Sequence, residues 1–123
     1  MNVTPIDATL GAVVTGVDIA HLTDAAWAEI YAAFLQYGVL VFPSQNLDEQ
    51  AQGAFALRFG AVEQLRPKQA GATVEFTNRK ADGSLATPDE QVYKLMKGNE
   101  GWHTDRTYMP LASKAAMLYA LVV

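Results

Sequence analysis

The chain has no cysteine, only two histidines, and no lysine or arginine before Arg58. Without thiols it can form neither disulfides nor thiolate metal sites such as zinc ribbons, a usage that agrees with a reducing cytoplasm. Long apolar runs are missing too. The longest, Ala115 to Val123, falls far short of the roughly 20 residues that span a bilayer. The opening Met1-Asn2-Val3-Thr4-Pro5-Ile6-Asp7 carries neither the basic start nor the apolar stretch of a secretory leader. A cytoplasmic protein without a membrane partner is therefore expected. A net charge of −4, with no basic cluster interleaved with aromatics, excludes an ordinary nucleic-acid binder.

What is present suits one domain: 123 residues, half of them apolar. Residues 10–19 read as a short strand and turn. Thr23 or Asp24 is a good N-cap for a helix in which Trp27, Ile30, Tyr31 and Phe34 recur at three- and four-residue spacing until Gly38 stops it. That stripe is core. Val39 to Phe42 reads as a buried strand ended by Pro43, and Asp48 caps a second helix with Ala51, Phe55 and Phe59 on its inner face before Gly60. Residues 61–72 have no clear period and read as loop. Val74 and Phe76, then Val92, Leu95 and Met96, suggest strands on either side of the Asp82-Gly83-Ser84 turn and the Pro88 region, a long connection of the kind that serves as a lid. Ala115 to Val123 is an apolar strand candidate, and an unpaired apolar strand invites association with other chains.

The sharpest chemical feature is His103-Thr104-Asp105, inside a run from Leu95 to Tyr108 that reads as strand, turn, strand. Residues i and i+2 of a strand share a face, so an imidazole and a carboxylate would sit side by side. With a second histidine from elsewhere they would complete the facial triad that holds ferrous iron and leaves three positions open. On its own a His-x-Asp pattern is equally a hydrogen-bonded surface pair.

The flanks narrow the choice. Gly98-Asn99-Glu100-Gly101-Trp102-His103-Thr104-Asp105-Arg106-Thr107-Tyr108-Met109-Pro110 resembles the metal-binding segment of the taurine dioxygenase/2,4-D dioxygenase (TauD/TfdA) family of iron- and 2-oxoglutarate-dependent oxygenases. Leu10-Gly11-Ala12-Val13-Val14-Thr15-Gly16-Val17-Asp18 resembles that family's opening strand and turn, Gly38-Val39-Leu40-Val41-Phe42-Pro43 its next strand, and Leu57-Arg58-Phe59-Gly60 the end of its second helix. Four matches arrive in family order. The resemblance implies an α+β chain whose complete fold is a double-stranded β-helix, a jelly roll with flanking helices. It implies Fe(II) on His103 and Asp105, with 2-oxoglutarate as co-substrate and oxidative decarboxylation to succinate driving hydroxylation of a small molecule. It also places a second metal histidine and the 2-oxoglutarate arginine beyond residue 123, so residues 1–123 are expected to be the amino-terminal part of a single domain, homo-oligomeric when complete. His21, at a helix entrance, reads as solvated or capping.

Other site residues follow from the resemblance, each with an alternative left open. Asn99 and Tyr108 fall at substrate-contacting positions, although Gly98-Asn99 is also a turn dipeptide. Trp102 would shield the metal from water, or simply pack beside it. Arg106 falls at a pocket position, yet strict alternation would turn it away from the metal face, so a pocket role requires a bend after Asp105. Arg66 lies near where relatives contact a substrate anion. Basic residues concentrate from Arg66 to Arg106, consistent with an anionic substrate or with plain solvated loops. Two functions stay open: a dioxygenase acting on a small anionic compound, represented by its amino-terminal part, and a noncatalytic binding module that self-associates through its exposed strand.

Overall fold

Two short apolar stretches and the glycines that turn the chain between them set up the first sheet. The computed structural model describes residues 1–62, 73–106 and 109–121. Strand β1 (Asn2–Pro5) runs antiparallel to β2 (Ala12–Thr15), with Asn2 opposite Thr15 and Pro5 opposite Ala12. Gly11, at φ +109°, makes the return possible: a Cβ there would lie 2.6 Å from the Ile6 side chain. β2 then pairs in parallel with β3 (Leu40–Val41), giving the order β1-β2-β3. Parallel neighbours need a crossover, and helix α1 (Asp24–Tyr37) provides it.

The helix boundaries follow from capping chemistry. The Thr23 hydroxyl accepts the Ala26 N–H at 3.2 Å, and Gly38, at φ +71°, closes α1 by donating its N–H to the Phe34 carbonyl. Asp48 caps α2 (Glu49–Leu57) by accepting the Ala51 N–H at 2.7 Å. Along α1 the apolar stripe turns inward, with Ile30 fully buried like Ala12 and Val14 of β2. Phe59, just past α2, meets Trp27, Phe34 and Phe55 edge-on, with ring centroids 4.8, 5.3 and 5.6 Å apart. Arg58 fastens the same junction: its guanidinium donates to Asp24 at 2.8 Å and to the Leu22 carbonyl.

Several expectations need correcting. The strand expected over Val39–Phe42 forms a ladder only at Leu40–Val41, and Val39 and Val41 are half exposed. Its other edge carries no partner strand among the described residues, so alternate side chains stay wet. β1 had no counterpart in the sequence reading. From Ala115 to Leu121 no ladder forms. Residues 115, 117 and 119 are half-buried while 116, 118 and 120 are exposed, a strand-like alternation without strand pairing. Tyr119 is tied by its hydroxyl, which donates to the Gln45 carbonyl and accepts the Leu47 N–H.

Residues Met1–Val62 with Tyr119–Val123 form one unit and Glu63–Leu118 a second. In the second unit the expected turn is present. Arg79 and Leu85 bridge across it, Gly83 has φ +84°, and Asp82 accepts both the backbone N–H and the hydroxyl of Ser84. The flanking strands are not: residues 73–77 have no ladder, and Val92, Leu95 and Met96 lie on helix α3 (Gln91–Gly98). The missed signal was the Thr87-Pro88-Asp89-Glu90 turn, in which the Glu90 carboxylate accepts the Thr87 N–H and Glu90 stands just before the helix, followed by good helix formers with Val92 as the sole β-branched residue. The loop expected over 61–72 lies, from residue 63 onward, outside the described residues.

Because Ile30 packs at full burial, Ile30→Ala should destabilise the first unit by about 2–5 kcal/mol. Urea unfolding followed by the fluorescence of Trp27 checks it, the expected result being a lower midpoint with little change in slope.

Candidate metal site

Of the residues singled out by sequence, Asn99, Trp102, His103, Asp105 and Arg106 follow directly on the carboxyl end of α3. The last turn of that helix is closed by Asn99, whose N–H points to the carbonyls of Leu95 and Met96, and by Glu100, whose N–H donates to the Lys97 carbonyl. The Lys97 ammonium meets the Glu100 carboxylate at 2.6 Å, a bond that holds its pKa above the ordinary lysine value. Gly101 follows at once, and its carbonyl lies 2.8 Å from Nδ1 of His103.

His103 and Asp105 are brought together, though not by a strand. Residues 102–106 have no ladder partner. The expected strand–turn–strand is instead helix, turn and bend, because the preceding residues Gln91–Gly98 are mostly good helix formers and fold as α3. Even so, Nε2 of His103 stands 3.3 Å from Oδ1 of Asp105. A carbonyl only accepts, so the Nδ1 proton goes to Gly101. The imidazole thus lies between two acceptors, and a neutral ring has one N–H to give. The 2.8 Å contact is an optimal hydrogen bond and the 3.3 Å one is long. Nε2 and Oδ1 thus face each other across a short gap.

An imidazole nitrogen and a carboxylate oxygen side by side are two donors of the kind that would hold a divalent metal. Both side chains are at least half exposed, which leaves room for further ligands. No third histidine, aspartate or glutamate joins them among the described residues. His21 belongs to the other unit, where it is exposed and pairs with Asp18 at 2.8 Å, in keeping with the solvated role expected of it.

Three of the remaining candidates are neighbours of this pair in sequence. Asn99 is the exposed cap of α3. Trp102 is fully exposed and covers nothing in this unit. Arg106 has φ +62°, a sharp departure from extended backbone at the residue where the sequence reading required a bend. Its carbonyl accepts the Met109 N–H at 3.1 Å. Tyr108 and Arg66 lie outside the described residues. Sequence reasoning missed the Gly101 carbonyl, since a backbone acceptor leaves no mark in residue type. Glu100 was legible in principle, three residues after Lys97 at the spacing of helical pairs.

Comparison with known proteins places these observations in a wider setting. Residues 2–123 match the family described as taurine catabolism dioxygenase TauD, TfdA family. The chain is 45% identical over 124 residues to an (S)-phenoxypropionate/alpha-ketoglutarate-dioxygenase of Sphingobium herbicidovorans, covering 99% of this chain and 41% of the relative. It is 29% identical to an alpha-ketoglutarate-dependent sulfate ester dioxygenase of Pseudomonas putida over 99% of this chain and 38% of that protein. Among solved structures, AAD-2 in complex with Mn(II) and N-oxalylglycine superposes with a TM-score of 0.77 at 28% identity, over 89% of this chain and 39% of its own. The chain thus spans about two-fifths of the length of these relatives.

The Thr87–Glu90 turn that leads into α3 should respond to acid. Glu90 is held below the ordinary glutamate value, first by the Thr87 N–H and then by Lys80. A carboxylate depressed in the folded state contributes stability that is present above its unfolded value and lost as pH falls through its folded value. Below about pH 4.3 that turn should therefore loosen, seen as faster exchange of the Thr87 amide. Glu90→Gln should flatten that pH dependence.

Proposed function

We propose, since the chain belongs to the TauD/TfdA family of dioxygenases, that residues 1–123 form the amino-terminal part of a single jelly-roll domain acting as an Fe(II)- and 2-oxoglutarate-dependent dioxygenase on a small anionic substrate. The observation that carries this reading is the 3.3 Å approach of His103 Nε2 to Asp105 Oδ1, with Nδ1 already engaged. The metal would supply oxygen activation, coupled to decarboxylation of 2-oxoglutarate. His103 and Asp105 would hold it, one neutral and one anionic donor on adjacent positions, which leaves an open face for co-substrate and oxygen.

Arg106 supports the choice of an anionic substrate. A guanidinium stays charged at any working pH, and this one follows a metal ligand at a left-handed bend. The relatives are named for phenoxypropionate, 2,4-dichlorophenoxyacetate and sulfate esters, all anions. Asn99, Tyr108 and the indole of Trp102 are proposed to line the substrate side. The 106% exposure of Trp102 makes that ring available to a ligand or a covering segment. A cytoplasmic location and a homo-oligomer belong to the same proposal. Among the described residues no helix is long and apolar enough to cross a membrane. A second reading, a noncatalytic module that self-associates, draws on the exposed Leu118 and Leu121.

The deciding experiment completes this chain with the carboxyl-terminal remainder of the Sphingobium relative and measures succinate formed with Fe(II), ascorbate, 2-oxoglutarate and (S)-phenoxypropionate. Substrate-dependent turnover is expected, and its absence would favour the noncatalytic module. His103→Ala and Asp105→Ala should each reduce turnover by more than about a hundredfold, beyond the losses typical of groups that merely support a ligand, while His21→Ala should leave it nearly intact.

Arg106→Leu separates substrate charge from general damage. KM for carboxylate or sulfate-ester substrates should rise about tenfold or more, against little change for neutral analogues, because a charge pair holds ground and transition state alike. Equal effects on both classes would place Arg106 outside the pocket.

A further inference from the structure

We propose that the carbonyl of Gly101, presented by the last turn of α3, is the positioning group that fixes the His103 ring with Nδ1–H bonded and Nε2 directed at Asp105. The proposal rests on the reading of His103 and Asp105 as metal ligands, and adds the element that aims one of them. An exposed imidazole on a short turn has free rotation about two side-chain bonds and two neutral tautomers. A metal that needs one ring orientation and one nitrogen would have to select it from that mixture at a cost in affinity.

Three tethers remove the freedom. The Asn99 N–H is anchored on the Leu95 and Met96 carbonyls, the Glu100 N–H on the Lys97 carbonyl, and the Glu100 carboxylate on the Lys97 ammonium. Gly101 sits against the end of the helix: a Cβ there would lie 3.6 Å from the Gly98 carbonyl oxygen. Its own carbonyl is then a fixed point 2.8 Å from Nδ1. Being neutral and unable to donate, it selects the Nδ1–H form without adding a charge that would compete with Asp105 for the metal. α3, which carries no buried side chain, has in this reading a use other than packing: it is the ruler from which the ligand is set.

The test uses the 123-residue chain with ¹⁵N-labelled histidine, whose ring nitrogen shifts report which nitrogen carries the proton of a neutral ring. His103 should favour the Nδ1–H form about two- to tenfold more than a free histidine does, the bias one hydrogen bond gives. Lys97→Pro, which breaks the last turn of α3, should abolish the bias, with His21 of the other unit unchanged as the folding control. Asp105→Asn, which leaves α3 alone, should retain it. The tautomer ratio of a free histidine in the unsubstituted chain, or a bias that survives Lys97→Pro, overturns the proposal. Zinc(II) should shift Nε2 and spare Nδ1–H, and binding through Nδ1 overturns the proposal as well. An Nδ1–H bias without any Nε2 response to zinc would instead remove the metal reading and leave the tether.

Discussion

The parallel pairing of β2 with β3 is the constraint on which the first unit depends. Parallel strands cannot be joined by a tight turn, so the chain between Thr15 and Leu40 has to leave the sheet, cross over and return. α1 is that crossover. Once it lies over the sheet, the rest of the unit's arrangement follows. Ile30 is buried as deeply as Ala12 and Val14, and the remaining aromatics of α1 are left for α2 and Phe59 to cover. The caps at Thr23, Gly38 and Asp48 fix where each helix begins or ends, which matters because a helix shifted by one residue rotates its apolar stripe by about 100°. Gly11 and Gly38 serve the same end, since each turns the chain at a backbone angle that a side chain would resist.

Among its described residues the second unit buries little beyond Ala86 and is tied by polar contacts. Glu90 joins Thr87 to Lys80, Asp82 closes its own turn on Ser84, and Lys97 holds Glu100. Such interactions are individually worth little when exposed, but they fix local geometry. Local geometry is what a metal site needs. The approach of His103 to Asp105 is made within three residues, by a bend and a backbone carbonyl, without help from distant packing.

Charge follows the same division. The first unit carries no lysine or arginine before Arg58, whereas seven lie from Arg66 to Arg106, interleaved there with six carboxylates. Charges of both signs so close along the chain favour local pairing, as in Lys80 with Glu90 and Lys97 with Glu100.

The sequence by itself determined the family, the helices with clear caps and stripes, the Asp82-Gly83-Ser84 turn and the pairing of His103 with Asp105. These depend on residue types at short spacing, and short-range chemistry is written in order along the chain. It misled wherever a short apolar run could be helix or strand. Val92, Leu95 and Met96 fit either period, and the run of helix formers after the Thr87–Glu90 turn decided for helix. It also overstated the strand at Val39–Phe42, because whether an apolar run becomes a central or an edge strand depends on which other segments reach it. Only the tertiary structure decided the antiparallel place of β1, the tie of Tyr119 to Gln45 and Leu47, and the carbonyl that turns His103 toward its partner. Every backbone carries the same carbonyl. Which one meets a given imidazole is a matter of position in space, and residue identity does not encode it.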